Sequence, residues 1–141
     1  MYITRTTTFV LLSLMSIVLS PQSNAQTYPQ RQRQAEERAL LLEHWEQIRR
    51  IVQTLNIGSG CGLYEEVYAS AATSYFGSDM YTERNNAGLN DDQSLDPIKL
   101  IQRWALEGKT KVAQPKFCEQ IPLADKARIR RLAESMMAGA R

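Results

Sequence analysis

A single histidine, His44, stands in the 141 residues of this chain. That scarcity removes any metal centre built on several imidazoles. A Ser-His-Asp triad would have to use His44, and no Gly-x-Ser-x-Gly elbow is available to present the serine. His44 reads as a surface residue of a helix. The two cysteines, Cys61 and Cys118, are far from the Cys-x-x-Cys spacing of a redox couple. Gly58-Ser59-Gly60-Cys61-Gly62 lacks the Lys-Ser/Thr ending of a phosphate loop and a strand before it, so it reads as a helix–helix turn. Asn85 to Asp96 is rich in side-chain oxygens. Aligning Gly88 with the obligatory glycine of an EF-hand puts Ala87 at the fifth position and Ser94 at the twelfth, where a bidentate glutamate is required. Glu65, Glu66 and Glu134 are the carboxylates that chain reversal could bring together for glycoside cleavage, a coincidence that sequence alone supports weakly. No catalytic residue, metal ligand or cofactor is assigned.

Long apolar runs are also missing. The longest, Phe9 to Leu19, is far short of the roughly 20 residues that span a bilayer. It follows Arg5 and precedes Pro21 and the small residues Ser23-Asn24-Ala25, the three-part pattern of an export signal cleaved between Ala25 and Gln26. The expectation is a periplasmic or secreted protein. No cysteine stands at the cleavage point for a lipid anchor, so no stable membrane anchor is expected after cleavage. Export also removes intracellular nucleic acid as a partner.

Compartment gives meaning to the cysteines, because thiols pair durably in oxidising surroundings. Two with none left over imply one structural bridge, Cys61–Cys118. Closing a loop of roughly sixty residues stabilises a fold by about 4 kcal/mol in the chain-entropy treatment.

Without Arg5 the chain carries 16 Lys+Arg against 15 Asp+Glu, a balance that selects no partner. The distribution is uneven. Residues 26–96 hold 6 basic and 11 acidic groups, and residues 97–141 hold 10 and 4. The halves either attract each other within one fold or leave a basic face for an anionic envelope partner.

Residues 26–34 (QTYPQRQRQ) are polar and expected to form a flexible tail. Leu41, Trp45, Ile48, Val52 and Leu55 then recur at steps of 4, 3, 4 and 3, predicting a first helix over 35–56 that ends at the glycine-rich turn. A second helix is predicted from about Gly62, with Leu63, Tyr64, Val67, Tyr68, Ala71 and Tyr75 on its core-facing arc, extending to about Arg84. Asp96 as N-cap and Pro97 open a third, with Ile101, Trp104 and Ala105 inward and Gly108 as its stop. Pro122 opens the last, whose apolar side is Ile129, Leu132, Ala133 and Met136.

The fold class is therefore all-α: a small four-helix domain over 35–141, its second and fourth helices stapled near their starts by one long-range disulfide. The candidate partner-binding surface comprises Lys126, Arg128, Arg130 and Arg131 on the last helix, and Tyr64, Tyr68 and Tyr75 where their rings face solvent. The expected function is a non-enzymatic binding or accessory factor for another envelope or extracellular protein. In outline the chain resembles the small periplasmic acid-stress chaperones, which are exported and helical with one long-range disulfide. That resemblance implies acid-activated chaperone activity as the alternative and transfers no site residue.

Overall fold

The computed structural model describes residues 27–139. The expected export signal and the Ala25–Gln26 cleavage point lie outside the described residues. Within them the protein is all-helical, with five α-helices and no strand. They are α1 (Tyr28–Gly60), α2 (Glu66–Asn86), α3 (Pro97–Val112), α4 (Phe117–Gln120) and α5 (Leu123–Gly139), with a 3₁₀ turn at Gln93–Leu95. The four expected helices correspond to α1, α2, α3 and α5. The additional α4 is a single turn, too short to show a sequence period.

The spine is α1, whose 33 residues span about 50 Å. Its stripe is buried as the spacing predicts: Leu41, Trp45, Ile48, Val52 and Leu55 all face inward. Its ends differ from expectation. Residues 28–34 are not a loose tail but the first turns of the helix, opened by Thr27, whose backbone N–H donates to Gln30 Oε1 at 2.9 Å, and by Pro29 in the first turn. At the other end the helix runs through Gly58 and Gly60 and stops at Cys61, after which Gly62 turns the chain at φ 68°. Gly58 serves close approach rather than a turn. A Cβ there would lie 2.5 Å from Tyr64 Oη and 2.6 Å from Ile129 Cγ2.

Two apolar clusters share this spine. One joins Trp45, Ile48 and Val52 of α1 to Met80 of α2 and to Leu100, Ile101 and Trp104 of α3, closed at one end by Leu89 and Leu95. The other joins Leu55 to Ala69 of α2 and Ala133 of α5, with Tyr64, Tyr68, Leu132 and Met136 around it. The second helix begins later than expected, at Glu66, and is rotated. Ala69 and Met80 are its deepest residues, whereas Val67 and Tyr75 are exposed. Asp96 caps α3 as predicted, its Oδ1 accepting from Lys99 N at 3.2 Å. Gly108 does not stop α3, which continues to Val112. It is buried where α3 crosses α1, and a Cβ would meet the Gln53 carbonyl oxygen at 2.7 Å.

The expected disulfide is present, joining Cys61 and Cys118 across 57 residues. Its placement differs from the prediction. It ties the C-cap of α1 to α4, not α2 to α5, because both flanking helices start several residues after their cysteines.

Candidate functional site

Tying α4 to the end of α1 leaves a gap between that end and α5. Lys116 turns the chain with a left-handed backbone (φ 61°) and sets Phe117 at the start of α4. Pro122 ends the segment, its carbonyl accepting from Lys126 N at 3.0 Å as α5 begins. The result is an open groove of about 460 Å³. Ile57 of α1, Phe117 and Ile121 of the α4 segment, and Ile129 and Leu132 of α5 make an apolar floor and walls. Leu123, 83 % exposed, stands at the start of α5.

The expected basic residues meet this groove unequally. Arg128 lines it and pairs with Asp125 at 3.3 Å across one helical turn. Both groups are open to solvent, so the pair contributes less than about 1 kcal/mol and releases easily. Arg130 donates from Nε to the Leu63 carbonyl at 3.3 Å and so helps dock α5 on the chain before α2. Arg131 is exposed on α5, and Lys126 is partly covered. Neither forms an ion pair among the described residues.

The tyrosines divide. Tyr64 precedes α2 and donates its hydroxyl to the Leu55 carbonyl at 2.7 Å. Burial pushes that phenol up to about 12. Tyr68 packs beside it with ring centroids 5.7 Å apart, and both adjoin the second core cluster. Only Tyr75 of the three is exposed, on the outer face of α2. The structure thus does not gather the seven expected surface residues into one patch.

Two polar constellations were not anticipated. Glu83 on α2 accepts from the buried Trp45 indole N–H at 2.7 Å and lies 3.1 Å from His44 Nε2. One carboxylate therefore bridges α2 to two successive residues of α1. Arg84, buried, donates to the carbonyls of Leu89, Asn90 and Asp92 and organises the loop before α3. Arg38 fastens that loop from outside, 3.0 Å from Asp92 Oδ2 and 3.2 Å from Ser94 Oγ. Ser94 and Arg38 together hold the Asp92 carboxyl below its usual range. Neither cluster carries a period or motif. A charged residue flanked by polar ones gives no sign in sequence that it points inward.

Of the three glutamates weighed for catalysis, Glu66 is committed to Lys109 at 2.9 Å, which lowers its pKa. Glu65 is the N-cap of α2, and Glu134 lies exposed on α5. Among the described residues no group of three or more His, Cys, Asp or Glu side chains is placed to hold a metal ion. Searches of protein families, curated proteins and solved structures return no match to this chain.

Proposed function

We propose that this chain is an exported, non-enzymatic binding protein that seats an apolar side chain of an acidic protein segment in the groove between α1, α4 and α5. The observation that carries this reading is the groove itself. It is open, its floor is aliphatic and aromatic, and Arg128 of α5, in an exposed pair with Asp125, stands on one wall. Burying an apolar anchor there gains about 25 cal/mol per Å². The net charge of +6 counted over residues 97–141 favours approach of an acidic partner over a basic one. The Cys61–Cys118 bridge supports the compartment, since a bridge of this kind persists where thiols are oxidised.

The test is native capture from the envelope and culture fluid, comparing wild type with Ile121→Glu and Arg128→Glu. A partner specific to this groove is lost with either change while the far-ultraviolet dichroism stays helical. Retention of the same partner by both variants refutes the groove as the docking site.

The chaperone alternative has one observation in its favour. The buried Trp45 indole N–H is held by Glu83, so an ionisable side chain takes part in a contact of the core. Suppression of a client's aggregation at pH 2–3, reversible on neutralisation, selects this reading over the first.

A further inference from the structure

A second groove, separate from the one at the disulfide, lies between α2 and α3 and encloses about 360 Å³. That is at the small end of ligand pockets. Its floor is Gly77 and Ile101, which are close enough that a Cβ on Gly77 would stand 3.6 Å from Ile101 Cδ1. Ile98, 53 % exposed, and Tyr81, 38 % exposed, form its walls. Tyr75, on the same helix, keeps an exposed ring set edge-on to Phe76 at 5.7 Å.

Every residue lining this groove is uncharged. Most of the lining is apolar, yet Ser78, Tyr81 and Gln102 bring two hydroxyls and an amide, and none of these side chains has a hydrogen-bond partner among the described residues. Thr73 and Ser74 donate to the carbonyls one turn back on α2, at 2.8 and 3.2 Å, and keep their oxygens free to accept.

This composition discriminates among ligands. A phosphate or carboxylate would give up hydration without meeting a counter-charge. A plain hydrocarbon chain would cover the hydroxyls and the amide and leave them without water, at a cost per group that burial of its own surface offsets poorly. A ligand with C–H faces and hydroxyl edges satisfies both halves of the site. Its face packs on the Tyr81 ring and Ile98, and its edge exchanges hydrogen bonds with Ser78, Gln102 and the Tyr81 hydroxyl. We infer that the α2–α3 groove binds a neutral saccharide. This site is independent of the docking groove, and either proposal can fail alone.

The test is a two-dimensional amide NMR titration of the disulfide-intact protein with neutral trisaccharides of glucose, mannose and N-acetylglucosamine, and with an uncharged alkyl ether detergent below its micelle concentration as the hydrocarbon arm. The expected result is saturable shifts at Ser74, Ser78, Tyr81, Ile98 and Gln102 with at least one saccharide and none there with the detergent. Tyr81→Ala and Gln102→Ala each weaken that binding about tenfold, roughly 1.4 kcal/mol. Both positions are exposed, so the variants keep the wild-type spectrum elsewhere. No shift with any of the three saccharides, shifts scattered away from this groove, equal binding by the Tyr81→Ala variant, or localised shifts with the detergent alone each overturn the inference. Shifts at these residues produced only by an added protein segment would assign the groove to a peptide instead and overturn it equally.

Discussion

Arg84 brings a positive charge to a position only 7 % exposed and commits its guanidinium to three loop carbonyls. Arg84→Met keeps the stem but orphans those acceptors, and is expected to cost about 3 kcal/mol in urea unfolding with an unchanged m-value. Trp45 sits deeper, and its indole N–H ends on Glu83. Trp45→Ala should cost about 3–5 kcal/mol, and the wild-type emission should resist acrylamide. Tyr64 offers a titration. Its phenol is raised to about 12 by burial, so the folded state holds that proton more tightly than the unfolded chain does. The resulting stability is complete below the unfolded value near 10 and is lost as pH rises through about 12. Absorbance near 295 nm should show one tyrosine ionising late, and Tyr64→Phe should remove that step. The five residues of the α1 stripe could be read from spacing because a helical period repeats. Arg84 could not, because its partners are backbone carbonyls five to eight residues ahead, and these exist only once α2 has turned.

At the level of helices, the starts of α3 and α5 are legible in the sequence, whereas those of α1 and α2 are not. Asp96-Pro97 and Pro122 mark real starts, since an oxygen side chain and a fixed φ act locally. Glycine is ambiguous. Gly58 and Gly108 look like stops but are places where two helices touch. Gly108→Ala should therefore destabilise by about 1–3 kcal/mol, although alanine is the better helix former by about 1 kcal/mol. An exposed glycine would show the opposite sign. The facing of α2 differs from the expected arc for a related reason. Its sequence spreads alanine, serine and tyrosine around the whole circumference, so the wheel has no decisive arc, and the start at Glu66 separates Tyr64 from the helix altogether. The groove between α1, α4 and α5 has no sign in the sequence except Arg128 among the candidate surface residues. Its walls come from three elements whose meeting depends on where α4 is tied.

For the molecule as a whole, the disulfide carries α4, a helix too short to persist by itself. Cys118→Ser is expected to lower stability by about 2–5 kcal/mol and to detach the Phe117 and Ile121 wall, seen as faster amide exchange there than in α3. The charge halves do not simply attract. Lys109–Glu66 has the expected polarity, but Arg49–Glu107 runs the other way. Acid acts through particular carboxylates. Ser94 and Arg38 lower Asp92, so the folded state binds that proton more weakly than the unfolded chain. Its stabilisation is present above about pH 4 and disappears as pH falls through the lower folded value. The loop before α3 should loosen before the helices melt.

The central position of α1 also fixes the order in which the chain can become compact. Its stripe is completed by Ile101 and Trp104 of α3 and by Ala133 of α5, residues made long after it. A nascent chain ending before Pro97 would hold Trp45 and Val52 without Leu100, Ile101 and Trp104, their cluster partners on α3. Ribosome-stalled fragments truncated there should be protease-sensitive along α1, and protection should arrive only when α3 has emerged.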